Sequence, residues 1–310
     1  MKAVLLDAPG PPSSLRIGEL VDPAPCQDEV LVRVHAASLN PVDFKVAAVG
    51  SELWNYPHVL GVDAAGVIEQ VGLHVNDWRP GDRVFYHATW RRQGTYAELS
   101  TVPGHTIAKV PESLTYVDAA AIPCAGLTAY NSTYRRLHCK SGDLVLIHGG
   151  SGGVGGFAIQ LAKQLGATVV TTCSAANVEY VRDLGADEVI DYTTQKFEDV
   201  ARNIDIVLDT VGGETQERSW LALKKGGVLI SLVESPSGKK ANQFGVRGMM
   251  CSVQPDGAQL NKITKLIDSA KLKPTIDRIL PLSEARRAHE LGHNGHVRGK
   301  IVLRVRDIQL

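Results

Sequence analysis

Residues 144–166 read LVLIHGGSGGVGGFAIQLAKQLG. The run Leu144–Ile147 is apolar and has charge only before it, which predicts a strand buried on both faces. Glycines follow, and from Val154 to Leu165 apolar residues recur at the spacing of one helical face. Gly166 stands where helices commonly end. The stretch therefore predicts a strand, a glycine turn and a helix, in that order.

The predicted turn contains the spacing G-x-G-x-x-G, at Gly150, Gly152 and Gly155. Between a strand and a helix this spacing is typical of dinucleotide binding. A pyrophosphate approaches bare backbone N–H groups at a helix N-terminus, where the helix dipole favours negative charge. A Cβ at Gly152 would hold the pyrophosphate off, and one at Gly155 would push the helix from the strand. A glycine turn without a ligand is the alternative, and the context favours a bound dinucleotide.

Composition limits the classes of function. The 310 residues suit two domains of ordinary size. Lys plus Arg and Asp plus Glu number 33 each, and this balance predicts neither a nucleic-acid partner nor a membrane partner. The N-terminal MKAVLLDAPGPP is too short for a signal peptide, and no stretch approaches the roughly 18 apolar residues of a membrane span. Five cysteines without a C-x-x-C indicate reduced thiols and predict a cytoplasmic protein.

Two patterns divide the chain. Residues 1 to about 110 contain short β-like runs separated by Pro, Gly and Asp, at the spacing of a small barrel. From about Asp118 strands and helices alternate, which predicts a parallel sheet with helices on both faces. The predicted strands are 144–148, 168–172, 187–190, 204–209 and 227–232, and the predicted helices are 153–165, 176–184, about 195–202 and 214–223.

Four other segments flank this alternation. Residues 116–137 are helical in period and are expected to break at Pro123. Residues 235–245 are predicted to form a polar loop before a β run near 249–253. A last helix is predicted over 256–270, and an amphipathic helix over 283–291 lies among β-like runs.

Nine short blocks, in order along the chain, carry a resemblance to a known family. They are AASLNPVDFK (36–45), GVDAAGVIEQVG (61–72), PGDRV (80–84), GTYAEL (94–99), AAAIPCAGLTAY (119–130), HGGSGGVGGFAIQLAKQLGA (148–167), GAD with VIDY (185–192), DIVLDTVGG (205–213) and RGKIVL (298–303). With these blocks the chain resembles the medium-chain dehydrogenase/reductase superfamily, and within it the zinc-independent quinone oxidoreductases related to zeta-crystallin.

The resemblance implies an α/β fold with two parts. One is an N-terminal GroES-like β-barrel catalytic domain, and the other a Rossmann nucleotide-binding domain with a doubly wound parallel sheet. Residues 1–122 and 271–310 would form the first domain and residues 123–270 the second. The resemblance also implies a dimer or a tetramer, and we predict a homodimer.

The chain departs from the zinc alcohol dehydrogenases at their metal ligands. At the matching positions it has Asn40, Val62–Asp63 and Cys124. A catalytic zinc needs three protein ligands, and only Cys124 is a good one. We therefore predict no metal. An improvised site is the alternative, and its members would be His35, His58, Asp63 and Cys124.

Loss of the metal favours particular acceptors. Reduction of a simple carbonyl needs a group that stabilises the alkoxide, commonly a Lewis acid. A quinone or a conjugated enone spreads the charge, so modest hydrogen-bond donors suffice. The sequence thus predicts transfer of hydride from NADPH to a quinone or another conjugated carbonyl. The alternatives are an alkenal or enone double-bond reductase, a zinc-dependent alcohol dehydrogenase, and a non-enzymatic NADPH-binding protein.

The type of cofactor follows from the second strand of the alternating region. NAD-selective sites place an acidic residue at the end of this strand, where the chain has Thr172, Cys173 and Ser174. Nothing there repels a 2′-phosphate, which favours NADPH. The resemblance places two phosphate-contacting residues at Asn177 and Tyr192. The predicted cofactor-binding residues are Asn40, Thr128, Gly150, Ser151, Gly152, Gly153, Val154, Gly155, Ser174, Asn177, Tyr192, Val211, Leu232 and Val233.

The predicted catalytic residues are Asn40, Tyr56, Asp63 and Thr128. The Asn40 side chain has a donor and an acceptor and could orient a substrate oxygen; a helix cap ahead of Pro41 is its other interpretation. Tyr56 lies with Trp54 and His58 where the resemblance places the acceptor pocket, and packing in the core is the alternative.

Two further groups of residues receive structural interpretations. Asp43 and Lys45 are expected to form a solvated salt bridge rather than a proton relay. His289, His293 and His296 are expected to be surface or loop histidines, because Gly292 and Gly295 should break the helix that would align them.

Overall fold

A computed structural model describes residues 1–136 and 139–306, apart from the side chain of Arg136. It separates into two compact units. Unit 1 comprises residues 1–127, 254–270 and the chain from Pro274 onward, and unit 2 comprises residues 128–253 and 271–273. Leu137, the last residue of the helical pattern at 116–137, lies outside the described residues.

Unit 1 begins with a β-rich region. Its elements are β1 (Lys2–Leu6), β2 (Leu15–Glu19), β3 (Glu29–Ser38), α1 (Pro41–Val49), β4 (His58–Val59), β5 (Asp63–Val71), β6 (Arg83–His87), β7 (Leu99–Pro103), β8 (Ile107–Lys109), α2 (Tyr116–Ala120) and α3 (Pro123–Tyr130). Thr115 begins α2 and accepts a hydrogen bond from the N–H of Asp118. The break expected at Pro123 is confirmed, because α2 ends before it and α3 begins on it. A short π-helix at Asn131–Arg136 continues α3.

Unit 2 alternates strands and helices. Its elements are β9 (Leu144–Ile147), α4 (Gly153–Gln164), β10 (Thr168–Cys173), α5 (Val178–Asp183), β11 (Glu188–Asp191), α6 (Phe197–Val200), β12 (Ile204–Asp209), α7 (Gly213–Ser219), β13 (Leu223–Ser231), α8 (Gly238–Phe244) and β14 (Arg247–Met250). The strands form one parallel sheet in the order β11-β10-β9-β12-β13-β14. This is the doubly wound order, which reverses direction beside β9. The predicted Rossmann sheet is confirmed.

The chain then returns to unit 1 with α9 (Gly257–Asp268), β15 (Ile276–Pro281), α10 (Ala285–Asn294) and β16 (Lys300–Arg304). β16 pairs with β3, so that Val302 lies opposite Ser38 and Leu303 opposite Ala37. The large sheet of the unit has the order β15-β16-β3-β5-β6-β8, with β7 also paired to β3. A three-stranded sheet, β2-β1-β4, accompanies it.

Alternation of apolar residues explains where the cores lie. Val30, Val32 and Val34 of β3 point into one apolar cluster with Ile68 and Val84. Leu146, Val170, Val207 and Leu229 form the centre of the core of unit 2, one from each of four adjacent strands. A strand whose residues are all apolar is thus buried on both faces of the sheet, as was predicted for residues 144–147.

Two predicted segments differ in the structure. The loop predicted at 235–245 contains helix α8, because Ser237 caps it by accepting from the N–H of Lys240 and Gly245 ends it at φ +65°. The residues of α8 are mostly polar and show no helical spacing of apolar residues, so the helix could not be predicted from such a spacing. Gly292 was expected to break a helix, yet α10 runs through it to Asn294.

Candidate functional site

The glycine turn of unit 2 connects β9 to α4. Gly149 has a left-handed φ of +67°. A Cβ added to Gly150 would lie 2.1 Å from Oγ1 of Thr171, and one added to Gly155 would lie 2.2 Å from the carbonyl oxygen of Gly149. The chain itself therefore requires glycine at positions 150 and 155, where backbone and neighbouring strand approach closely.

Gly152, the residue that precedes α4, differs from its neighbours in the turn. A Cβ there would have only the carbonyl oxygen of Gly149 within 4 Å, at an ordinary contact of 3.4 Å. Its φ of −78° is accessible to any residue. Packing within the described chain leaves this space free, beside a helix N-terminus whose first N–H groups lack intrahelical partners. These are the properties of a cradle for a phosphate group, so the residues fit a dinucleotide.

The other predicted cofactor residues of unit 2 follow strands of the same sheet. Ser174 follows β10, Tyr192 follows β11, Val211 follows β12, and Leu232–Val233 follow β13. Because the strands are parallel, these positions and the glycine turn all lie at the carboxyl edge of the sheet. Tyr192 and Val211 are each 51 % exposed and thus accessible to a ligand.

The end of β10 carries a pair of polar side chains. Nδ2 of Asn177 donates to Oγ of Ser174 at 3.1 Å. Both side chains are half-buried. The pair can donate hydrogen bonds to a phosphate, and neither member brings a positive charge.

Asp209, at the end of β12, organises this edge and was not predicted as a site residue. Its buried carboxylate accepts from the N–H groups of Val211 (2.9 Å) and Gly212 (2.8 Å) on one oxygen. The other oxygen accepts from Oγ of Ser231 at 2.8 Å and from Nε2 of Gln216 at 3.2 Å. The loop after β12 is thereby tied to the end of β13. Asp209 lies in the block DIVLDTVGG, which could have indicated it as a site residue.

His148 lies directly after β9 and is fully buried. Its ring nitrogens lie 3.2 Å from Oγ1 of Thr172 and 3.0 Å from Oγ of Ser219. Burial lowers the pKa of this imidazole to about 4, so the ring is neutral near pH 7. His148 thus joins β10 to α7 behind the glycine turn.

A second group of polar residues is buried inside unit 1, around Asp63 at the start of β5. Oδ1 of Asp63 lies 3.0 Å from the N–H nitrogen of Cys124, which donates to it, and 3.0 Å from Nδ1 of His87. Oδ2 accepts from Nδ2 of Asn40 at 2.9 Å and from Oγ of Ser38 at 3.3 Å. Both oxygens of this fully buried carboxylate are therefore occupied.

Lys300 of β16 supplies the cation of this group. Its Nζ lies 3.8 Å from Oδ2 of Asp63 and donates to the carbonyl oxygen of Leu39 and to Oδ1 of Asn40. The residue is 5 % exposed. Nδ2 of Asn40 also contacts the carbonyl oxygen of Ser38 at 3.4 Å. The Asn40 side chain is consequently engaged on both its donor and its acceptor side.

Asn40 is also the cap residue of α1, which agrees with one of the two interpretations of this residue. Its N–H donates to Oδ2 of Asp43 at 2.8 Å, and the hydroxyl of Tyr96 donates to the same oxygen at 2.8 Å. Burial raises the pKa of Asp43 to about 7. The predicted solvated salt bridge with Lys45 is wrong, because Asp43 is 1 % exposed and points to Tyr96.

The aromatic segment before β5 is divided by burial. The rings of Trp54 and His58 stack at 3.9 Å and 6°, and Nε1 of Trp54 donates to the carbonyl oxygen of Trp90. Burial lowers the pKa of His58 to about 4, so its ring is neutral near pH 7. Tyr56 is 38 % exposed and meets the Trp54 ring edge-on at 6.2 Å. Trp54 and His58 are packing residues, and the phenol of Tyr56 remains open to solvent.

The two remaining predictions concern helices. Thr128, on α3, is 7 % exposed, and its carbonyl oxygen accepts from Oγ of Ser132. His289 was expected at the surface and is instead fully buried in α10, edge-on to the rings of Phe44 and Tyr96. The expectation failed because α10 continues through Gly292, where a Cβ would lie 2.4 Å from the Leu39 side chain.

The structure thus assembles the predicted residues in two places. Asn40 and Asp63 lie together in unit 1, and the residues of the glycine turn lie with those after the strands of unit 2. Four partners in unit 1 were missed, and one of them, Ser38, lies in the block AASLNPVDFK. Tyr96 and Lys300 lie in the blocks GTYAEL and RGKIVL, which could have indicated them, whereas nothing in the sequence singled out His87.

Comparison with known proteins agrees with both halves of this description. Residues 26–112 match the family model described as alcohol dehydrogenase GroES-like domain, and residues 184–303 match the one described as zinc-binding dehydrogenase. The mitochondrial NAD(P)H oxidoreductase RTN4IP1 of Mus musculus is 35 % identical, over 90 % of this chain and 82 % of its own. The chain belongs to the medium-chain dehydrogenase/reductase superfamily. The predicted family, fold class and enzyme class, an oxidoreductase, are confirmed.

Other members of the superfamily are similar over nearly the whole chain. The 2-methylene-furan-3-one reductase of Solanum lycopersicum is 35 % identical, over 89 % of this chain and 72 % of its own. The quinone oxidoreductase from Coxiella burnetii has a TM-score of 0.93 at 38 % identity and covers 99 % of both chains. The Escherichia coli quinone oxidoreductase complexed with NADPH has a TM-score of 0.89 at 26 % identity, over 98 % of this chain and 100 % of its own.

The predicted cytoplasmic location is contradicted. The similar proteins of Mus musculus, Danio rerio, Homo sapiens and Bos taurus are all named as mitochondrial. Reduced cysteines are compatible with more than one compartment, so they could not support the prediction. Within the described residues, no helix has the length and apolarity needed to cross a membrane.

The family description raises the question of a catalytic metal. In the described part of unit 1, ligand atoms of Asp63, His87 and Cys124 lie within 4.8 Å of one another. The predicted improvised set included His35 and His58, which instead stack on Tyr116 and Trp54. Both oxygens of Asp63 already accept hydrogen bonds, and the Lys300 ammonium lies 3.8 Å away. As arranged, these residues do not fit a divalent metal.

Proposed function

We propose that the protein is an NADPH-dependent oxidoreductase that transfers hydride to a quinone or another conjugated carbonyl without catalytic zinc. The observation that carries the proposal is the open backbone at Gly152, in a turn at the carboxyl edge of a doubly wound sheet. The NADPH complex of the Escherichia coli neighbour supports the cofactor. The names of the Coxiella burnetii and Solanum lycopersicum proteins support the class of acceptor.

Three groups of residues would hold the cofactor. The glycine turn binds the pyrophosphate through backbone N–H groups of residues 150–155. The 2′-phosphate accepts hydrogen bonds from Ser174, Asn177 and Tyr192. None of these three side chains has a negative charge that would repel it. The nicotinamide end is assigned to Thr128, Val211, Leu232 and Val233, whereas the side chain of Asn40 is already hydrogen-bonded within unit 1.

When bound, the reduced nicotinamide supplies the hydride. The acceptor takes this hydride and one proton, and becomes a hydroquinone or a saturated carbonyl while NADPH becomes NADP⁺. A conjugated acceptor spreads the developing negative charge over its ring or enolate, so the protein needs to supply orientation and hydrogen bonds rather than a Lewis acid. Water or a surface hydroxyl supplies the proton.

The four predicted catalytic residues divide by exposure. Asn40 and Asp63 are at most 2 % exposed and already hydrogen-bonded, so they act by positioning the start of α1 and the Cys124 backbone. Tyr56 is 38 % exposed and is the member whose hydroxyl can contact an acceptor directly. Thr128 is assigned to the nicotinamide amide through its hydroxyl.

Reduction of an enone carbon–carbon double bond is the second candidate activity. The similarity to the 2-methylene-furan-3-one reductase favours it, and that protein is as similar in identity as the mitochondrial relatives. Both activities use the same cofactor and differ in the acceptor atom that receives hydride.

We also propose a homodimer. β14 is an edge strand of the six-stranded sheet, and its Met250 side chain is 43 % exposed. An unpaired edge with an exposed apolar side chain favours pairing with a second chain. Light scattering after size-exclusion chromatography would give the mass directly, and a monomer at micromolar concentration would exclude the dimer.

The functional division that we propose assigns residues 1–122 and 271–310 to catalysis and residues 123–270 to dinucleotide binding. Helix α9 falls in the second range by this division, although it belongs to unit 1, where a Cβ added to Gly257 would lie 2.4 Å from the carbonyl oxygen of Ile107 and 2.7 Å from that of His105.

A panel of acceptors tests the activity. The oxidation of NADPH or NADH is followed by absorbance with 1,4-benzoquinone, 9,10-phenanthrenequinone, a 2-alkenal and a simple aldehyde, each with and without a chelator. We expect NADPH oxidation by the quinones or the alkenal, unchanged by the chelator. Aldehyde reduction that the chelator abolishes would contradict the absence of zinc. NADPH binding without turnover of any acceptor would contradict the enzyme.

A further inference from the structure

The buried cluster of unit 1 has the composition of a metal site. Asp63, His87 and Cys124 offer a carboxylate, an imidazole and a thiol, with the ligand atoms within 4.8 Å of one another. These are the three kinds of side chain that bind Zn²⁺, and three protein ligands are the usual number for an open zinc site. Asp63 is fully buried, His87 is 6 % exposed and Cys124 is half-buried. The cluster therefore has ligands of the right kind in a largely dry environment.

A cation already belongs to this cluster, and it is part of the chain. The Lys300 ammonium lies 3.8 Å from Oδ2 of Asp63, where it balances the buried carboxylate. The carbonyl oxygen of Leu39 and Oδ1 of Asn40 accept two of its hydrogens. A divalent ion among the three ligand atoms would stand beside this buried ammonium and be repelled by it.

The hydrogen bonds of Asp63 oppose a metal for a second reason. Oδ1, the oxygen on the side of His87, already accepts from the backbone N–H of Cys124 at 3.0 Å. When Nδ1 of His87 carries the ring hydrogen it donates to the same oxygen, so Nδ1 itself has no lone pair for a metal and only Nε2 of the ring keeps one. Lys300 stabilises this arrangement because its ammonium attracts the carboxylate that accepts these bonds.

We propose that Lys300 excludes divalent metal from this cluster, and that removing its charge converts Asp63, His87 and Cys124 into a binding site for Zn²⁺ or Co²⁺. The proposal shares with the proposed function only the premise that the native protein works without zinc. Its test measures metal and not turnover. Failure of the metal test therefore leaves the activity standing, and absence of NADPH turnover leaves the metal site standing.

The test compares the wild type with Lys300→Gln and Lys300→Met. The Gln variant retains a donor for the Leu39 carbonyl, and the Met variant retains the apolar stem. Each protein is incubated with Co²⁺ or Zn²⁺, passed through a desalting column and analysed for metal per chain by atomic emission. The Co²⁺ samples are also examined for the absorption band of a cobalt–thiolate bond. We expect roughly one metal per chain in both variants and less than about one tenth in the wild type.

Three control variants separate charge, ligand and unspecific uptake. Lys300→Arg keeps the positive charge and should bind no metal. Cys124→Ser, combined with Lys300→Gln, should remove the thiolate band and weaken Co²⁺ binding at least about 10-fold. Lys225→Gln removes an exposed lysine of unit 2 and should behave as the wild type.

Two results obtained with folded protein would overturn the proposal, and a third concerns refolding. One is a cobalt–thiolate band in the wild type that Cys124→Ser abolishes, since Lys300 would then exclude nothing. The other is a folded Lys300→Gln or Lys300→Met variant that binds no metal. Where these variants fail to fold alone, they are refolded with Zn²⁺, which should restore the fold by replacing the lost charge. Failure to fold with Zn²⁺ present also overturns the proposal.

Discussion

The Cα of Gly155 faces the carbonyl oxygen of Gly149 so closely that an added Cβ would lie 2.2 Å from it. The contact joins the start of α4 to the turn after β9, and both partners are backbone. We predict that Gly155→Ala lowers the free energy of unfolding by about 1–3 kcal/mol, because the helix must move away from the strand. Urea denaturation measures the change. Gly238→Ala is the control, since a Cβ there meets nothing within 4 Å. Equal stability of the two variants would contradict the prediction.

Gly152→Ala should behave in the opposite way. The new Cβ has a single ordinary contact at 3.4 Å, so thermal unfolding without ligand should stay close to that of the wild type. The methyl group would occupy the space that we assign to the pyrophosphate. NADPH binding, measured by fluorescence, should weaken about 10-fold or more, which is about 1.4 kcal/mol. Unchanged NADPH affinity in this variant would contradict binding of the pyrophosphate at this turn.

Asp209→Ala removes four hydrogen bonds at the ends of β12 and β13. The hydroxyl of Ser231 would stay buried without this acceptor, and the amide of Gln216 would keep only the carbonyl oxygen of Glu234. Since such a loss costs about 1–3 kcal/mol, we expect unfolding at clearly lower urea concentration and weaker NADPH binding. Asp183→Ala, at an exposed position of α5, is the matched control. A variant as stable as this control would show that the loop after β12 is held by other contacts.

The stability of unit 1 should depend on pH through His289. Burial lowers the pKa of this imidazole from 6.5 to about 4. The unfolded chain thus binds more protons between these values, so His289 makes the free energy of unfolding fall as pH falls from 6.5 to 4. Asp43 opposes this trend, because its pKa is raised to about 7 and protonation on acidification favours the folded state.

Comparison of variants isolates the contribution of His289. In His289→Phe the loss of stability between pH 6.5 and 4 should be smaller than in the wild type by about 3 kcal/mol. Denaturant titrations at several pH values measure this difference. His105→Gln, at an exposed site, should follow the wild type. Parallel pH profiles of wild type and His289→Phe would mean that His289 has the same pKa in the folded and the unfolded chain.

Asn177→Lys tests the site proposed for the 2′-phosphate. The new ammonium would lie beside Ser174, at the end of β10, where the chain now offers only neutral donors. We expect NADPH affinity to rise about 3- to 10-fold and the gain to shrink as salt is added, with NADH affinity unchanged. An equal gain for both cofactors would place the 2′-phosphate elsewhere.

Local patterns were sufficient to predict unit 2. Residues 144–166 combine a buried strand, a glycine turn and a helix that are adjacent in sequence, and the observed α4 begins and ends within one residue of its predicted bounds. The polar helix α8 was not predicted. It is defined by its cap residue and its terminal glycine and not by a helical spacing of apolar residues. Elements with a regular spacing of apolar residues over a short stretch are therefore the ones that can be predicted from the sequence.

The cluster around Asp63 could not be predicted in the same way. Its members come from β3, β5, β6, α3 and β16, and their pairing depends on the register of strands far apart in sequence. The sequence indicated that a metal ligand set was incomplete, and it gave no means of knowing that a lysine 237 residues after Asp63 completes the charge balance. Buried polar networks of this kind become visible only when the fold is known.

The pairing of β16 with β3 has a consequence for synthesis on the ribosome. Ser38 and its partner Val302 are 264 residues apart, so Val302 is translated long after Ser38. Throughout that interval the nascent chain carries an open edge on β3, and the Asp63 carboxylate lacks its cation. Unit 2 is contiguous apart from residues 271–273 and can fold while translation continues. Completion of unit 1 must wait until β16 has left the exit tunnel, so the edge of β3 stays open to other chains for longer than the strands of unit 2 do.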